Sequence, residues 1–152
     1  MIEAPEGGDL PKLTYPLLRG VLRKLSAVDA AKAGAHDAMK ALRSFASAFR
    51  LEYGGASLTV DPEPGVADSG DLTMDLTDLF VRVGQAARDA GGVFLLLIDE
   101  VQYLNGDELG ALITALHKCA QKTLPVVFIG AGLPQVASLA GNAKSNAERL
   151  FQ

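Results

Sequence analysis

The stretch Gly91-Gly92-Val93-Phe94-Leu95-Leu96-Leu97-Ile98-Asp99-Glu100 decides how this chain folds. Six apolar residues follow one another without a polar interruption, between a glycine pair and an acidic pair. The run is too short for a buried helix and lacks the alternation of a half-solvated antiparallel strand. It reads as a strand over 93–98 buried on both faces, as in a parallel sheet.

Toward the carboxyl end, the spacing of Leu109, Leu112, Ile113, Leu116 and Cys119 predicts a helix over 107–122 with those residues facing inward. Pro125 then precedes a second apolar run, 126–129, closed by Gly130-Ala131-Gly132. Strand, helix and strand make a βαβ unit with a right-handed crossover. A last helix is expected over 142–152.

Toward the amino end, Asp71 is a fitting N-cap for a helix to residue 90, with Leu72, Leu76, Leu79, Phe80, Val83 and Ala87 on one face. Before it lie a short extended piece at 56–60 and the acidic, turn-rich DPEPGVADSGD (61–71). A surface loop is the ordinary reading of that segment and a functional insertion is the alternative. A helix over 28–50 carries Val28, Ala31, Ala35, Ala38, Leu42, Phe45 and Phe49 in alternating steps of three and four, a heptad-like seam. Another runs from Pro11 to about Leu25, after the break Gly7-Gly8-Asp9. Residues 1–6 read as the tail of a strand. The domain thus divides into a mainly helical part, 1–90, with a loop at 54–71, and a βαβ core, 91–152.

The 152 residues are 49% hydrophobic and 21% charged, the profile of one globular domain. Aromatics are 6% with no Trp, so Leu, Val, Ile and Ala must build the core. No apolar run approaches the roughly 20 residues of a membrane span, and MIEAPEGGD has neither the basic nor the apolar region of a secretory signal. The one cysteine, Cys119, reads as a buried inert thiol, which with the absence of a signal suggests a cytoplasmic setting. A formal charge of −4 with no Lys/Arg run leaves no footprint for nucleic acid; Arg19, Arg23 and Lys24 read as a solvated helix face. His36 and His117 read as surface or packing residues.

Asp99 and Glu100 carry the chemistry. In open α/β sheets ligands gather at the carboxyl ends of strands, and an acidic pair there suits nucleotide hydrolysis. One carboxylate holds Mg²⁺ through its waters and the other orients the attacking water. The bland alternative is a pair that caps the loop and faces solvent. A phosphoacceptor role for Asp99 would require a Lys after the last strand, and Lys122 precedes it.

VFLLLIDEVQYL, the helix after it and LPVVFIGAGLPQVASL resemble the Walker B to sensor 1 region of AAA+ P-loop ATPases, in particular bacterial and archaeal ATP-binding proteins related to origin-recognition ATPases. The resemblance covers 91–152, and the helical first half matches more loosely. It implies Asp99 as the magnesium residue and Glu100 as the catalytic acid, with Gln102 and Tyr103 in a loop that meets neighbouring strands or subunits. Gly130 would lie in the sensor 1 region, and Arg149 would be an arginine finger, a Glu148/Arg149 surface pair being the alternative. The implied ligands are ATP, less readily GTP, and Mg²⁺.

Two departures stand out. Sensor 1 is usually Asn or Thr, where this chain has Gly130-Ala131-Gly132. A Walker A loop needs GxxxxGK[ST], and none of the 16 glycines is followed by Lys. The expected fold is therefore a partial P-loop sheet flanked by helices, without its first strand, phosphate loop and first helix. In the family order 5-1-4-3-2 this chain would hold strands 2, 3 and 4. Strand 126–129 would then present an unpaired edge, through which the chain is expected to self-associate or to pair with another protein. A non-catalytic protein-interaction module on the same fold is the alternative.

Overall fold

The computed structural model describes residues 2–53, 56–57 and 65–133, with only the backbone at 52–53 and 56–57. The expected final helix, Arg149, and most of the 54–64 segment lie outside the described residues. Five strands and four helices follow in order: β1 (Ile2–Glu3), α1 (Leu10–Leu25), α2 (Lys32–Ala48), β2 (Glu52–Tyr53), β3 (Ala56–Ser57), α3 (Leu72–Asp89), β4 (Phe94–Asp99), α4 (Gly106–Gln121) and β5 (Val126–Gly130). The sheet that organises them is parallel, in the order β1-β4-β5, with Ile2 opposite Ile98 and Phe94 opposite Val126. The three strands are contiguous with the deciding run at the centre, the order that the family resemblance implied. Strands β2 and β3 form a separate antiparallel pair.

The helices begin where the sequence supplies caps. Asp9 accepts from the Lys12 amide at the start of α1 and Asp71 from the Met74 amide at the start of α3. At α4, Asn105 and Glu108 satisfy each other's backbone amides in a capping box. The expected helix over 28–50 starts later than its pattern suggests. A 3₁₀ turn at Asp29–Ala31 precedes α2, and Val28 is exposed outside the seam. Ala38, Ala41, Leu42, Phe45 and Ala46 are all buried. This arc is wider than a two-helix seam because α2 is packed between α1 and α3.

Both crossovers, β1 to β4 and β4 to β5, step in the same direction across the sheet. With right-handed connections this puts the intervening helices on one face. On that face Phe94, Leu96 and Ile98 are buried, and Phe94 meets Phe80 of α3 edge-on with ring centroids 5.9 Å apart. Helix α3 comes close because residue 84 is glycine: a Cβ there would lie 2.8 Å from Val126 Cγ2.

The other face corrects the sequence reading. Val93, outside the strand, is 63% exposed, Leu95 47%, Val127 45% and Ile129 52%. The run is therefore buried on one face and open on the other. Leu95 stands opposite Val127 and Leu97 opposite Ile129, so the open residues form one continuous apolar patch. Among the described residues β5 pairs only with β4, and its far edge is free. No described helix is long and apolar enough to cross a membrane.

Candidate functional site

The carboxyl ends of β1, β4 and β5 meet at Asp99 and Glu100. The amide of Ala4 donates to the Asp99 carbonyl at 3.0 Å, which fastens the chain leaving β1 to the end of β4. Glu3 stands opposite Asp99 in the register, so a third carboxylate belongs to this end of the sheet. Asp99 Oδ1 accepts from the Glu100 amide at 2.9 Å. Both acids are half-buried.

Glu100 has φ 56° and ψ 40°, the left-handed region. For a residue with a side chain this conformation costs about 1–3 kcal/mol and persists only where neighbours impose it. Here the chain after Glu100 enters a 3₁₀ turn, Val101–Tyr103, with the Tyr103 amide donating to the Glu100 carbonyl at 3.0 Å. The Val101 amide donates to the Ala131 carbonyl at 3.0 Å, and the Ala131 amide to the Ile98 carbonyl at 2.9 Å. The loops leaving β4 and β5 are thus laced together. Gln102 adds a side-chain tie: its Nε2 donates to Glu100 Oε2, and its Oε1 accepts from the Leu133 amide at 3.1 Å.

Gly130, expected in the sensor 1 region, ends β5 opposite Ile98. A Cβ at this position would lie 2.9 Å from both Val101 Cγ2 and the Phe128 ring. Glycine lets the end of β5 pass the Val101 methyl and the Phe128 ring without displacing either. A polar side chain of the kind sensor 1 usually carries would have to displace one of these side chains.

Tyr103 turns toward the chain after β1, its hydroxyl 3.5 Å from Glu6 Oε1 at the limit of a hydrogen bond. The Glu6 carboxylate, with partial desolvation and the Glu100 charge, pushes its phenol above the usual range. Behind the turn, Gly8 lets the chain pass the Tyr103 carbonyl, which a Cβ would approach to 2.9 Å.

Two acids that the sequence reading passed over are the best buried ones. Glu108 Oε1 accepts from the Leu10 amide at 2.7 Å and Oε2 from the Asn105 amide at 3.0 Å, so one carboxylate caps α1 and closes the box at α4. Asp75 accepts from the Ser69 amide and hydroxyl and the Gly70 amide, pinning the loop ahead of α3. The Asn105-x-x-Glu108 spacing is the sequence signal for the first; nothing local announces the second. Cys119 is buried, and desolvation pushes its thiol up to about 11, so it stays protonated and unreactive at neutral pH. His117 is exposed and bonds Gln121 one turn on.

A magnesium ion asks little of a protein: one or two carboxylates, the remaining positions going to water and phosphate. Asp99 fits that demand, with Oδ1 engaged by a backbone amide and Oδ2 open among the described residues. Those residues gather no cluster of three or more metal ligands. The phosphates of a nucleotide are a different matter, because no GxxxxGK[ST] sequence is present to cradle them. An open groove of about 410 Å³ between α3 and α4, lined by Thr73, Met74, Thr77, Thr114, His117 and Lys118, includes none of the residues at the sheet end.

No family model matches the chain, and neither a curated protein nor a solved structure resembles it closely enough to identify a relative.

Proposed function

We propose that this chain is the Walker B half of an AAA+-type ATP-binding and hydrolysing switch protein, in which Asp99 holds Mg²⁺ through water and Glu100 polarises the attacking water. The observation that carries the reading is the strained Glu100, placed directly after Asp99 at the carboxyl end of a central parallel strand. Arg50, Ala67 and Thr123 are left-handed too. What supports the reading is therefore the strain together with its place beside Asp99 at the strand end, where such strain clusters with function. When bound, the metal would supply charge neutralisation for phosphoryl transfer. The chain's own share is to present one acid with an open oxygen and to hold a second one through Gln102.

Handedness supports the same reading. A strand added at the free edge of β5 and connected onward to β1 would cross the sheet against the β1-β4-β5 direction. A right-handed crossover then lays its helix on the open face. One strand-loop-helix unit would thus pair the edge, cover Leu95, Val127 and Ile129, and bring its loop to Asp99. A Walker A segment is such a unit, supplied upstream in a longer protein.

The test is a protein extended by the coding sequence upstream of Met1. It is expected to contain GxxxxGK[ST] and to bind Mg-ATP. Glu100→Gln should keep binding and slow turnover by about 10²-fold or more, while Asp99→Ala should weaken magnesium-dependent binding. An extension without a phosphate loop overturns the ATPase reading. The non-catalytic interaction module would then stand, favoured by the open apolar face and the packed Gly130.

A further inference from the structure

We infer that Gln102 is a positioning residue that couples the Glu100 carboxylate to the chain leaving β5. This rests on the reading of Glu100 as the water-polarising acid. A primary amide has two chemically opposite ends, an NH₂ that only donates and a carbonyl that only accepts. Gln102 uses both: Nε2 on Glu100 Oε2, and Oε1 on the Leu133 amide. Its orientation is fixed by that chemistry, since the flipped amide would set oxygen against carboxylate and NH₂ against N–H.

The planar amide makes the two contacts interdependent. Glu100 is anchored through its backbone by the Tyr103 amide, and residue 131 is anchored by Val101 and Ile98. Beyond those anchors, Gln102 is the side chain that spans the Glu100 carboxylate and the chain at Leu133. A ligand that takes up the carboxylate releases Nε2, and a shift of residues 132–133 withdraws the acceptor's partner. Either event is felt at the other end. The acid thus reports its occupancy to the segment after β5 by one side chain, without a change in the sheet.

Amide hydrogen exchange and ¹⁵N shifts of the full chain test this. Gln102→Leu removes both contacts and should speed exchange at Leu133 by about 2- to 10-fold, the loss of one ordinary hydrogen bond. Gln102→Glu keeps an acceptor for Leu133 while repelling Glu100, so it should restore protection at Leu133 but displace the Glu100 signals. Glu100→Ala should shift the Leu133 amide in the native background and leave it still in the Gln102→Leu background, with Leu96 and Ile98 unchanged in every case. A Leu133 amide indifferent to Gln102→Leu, or one that answers Glu100→Ala in its absence, overturns the coupling. Nucleotide enters none of these measurements, so the coupling and the ATPase reading fail separately.

Discussion

Phe94 and Leu95 are neighbours on one strand and live in different media: Phe94 is 3% exposed against Phe80, and Leu95 is 47% exposed. The same division runs along β5, where Val126 touches the helix layer through Gly84 and Val127 does not. Composition does not distinguish the two faces, because both are written in Leu, Ile, Val and Phe. Connectivity does, since two crossovers in one direction supply helices to one side only. An apolar run thus records what a strand is suited to be covered by, and the topology decides which side this chain covers.

The largest expected effect tests that division directly. Phe94→Ala should destabilise the chain by about 3–5 kcal/mol, the toll of a large core truncation. Leu95→Ala should destabilise it by less than about 1 kcal/mol, because most of its surface meets water already. Urea unfolding followed by circular dichroism measures both. Equal losses would mean that Leu95 is covered in solution, and the contrast between the faces would collapse.

A second contrast lies among the carboxylates. Glu108 is 6% exposed and fully bonded, whereas Asp99 and Glu100 are half-buried with capacity to spare. Glu108→Ala leaves the Leu10 and Asn105 amides without their charged acceptor, and should lower stability by about 3 kcal/mol. Asp99→Ala should alter it by less than about 1 kcal/mol. If the two losses match, Asp99 is a structural acid and its functional reading loses its distinction from Glu108.

The parallel strands β4 and β5 were legible because an uninterrupted apolar run between glycines and acids has few other uses, whereas the order β1-β4-β5 was an implication of the family resemblance. The start of α1 was legible from Pro11 and that of α3 from Asp71, which caps its own next turn; the matching cap at Asp9 was not read from the sequence. What escaped were facts made by distant partners. Glu108 meets Leu10 across most of the chain, and Gly130 lets the end of β5 pass Val101 and Phe128. The position of Asp99 and Glu100 followed from the strand end, but the left-handed turn at Glu100 did not. Glutamate carries no propensity for that conformation, and neighbouring loops impose it.

That imposition separates Glu100 from every acid on the helix side. Glu100→Gly removes the side chain from a left-handed position and should stabilise the fold by about 1 kcal/mol. The urea midpoint should rise although the Gln102 contact is lost. A drop would show that the carboxylate stabilises the loop as Glu108 stabilises α1, and the strain argument for function would go with it.

The smallest stability effect belongs to the open face, where the expected consequence is association. Ile129 is 52% exposed beside the free edge of β5. Covering such a side chain is worth about 1.5–3 kcal/mol, and an unpaired edge beside it invites a strand from outside. The native chain should therefore show concentration-dependent association in sedimentation velocity. Ile129→Lys should abolish it by placing a charge on the edge, with folding stability changed by no more than about 0.5 kcal/mol. Lysine has a stem long enough to lie along Leu97 with its ammonium in water, which is why the folded state should tolerate it. A native chain that sediments as a monomer at every concentration would mean that the apolar face is covered from within, and the two faces would then differ in sequence position alone.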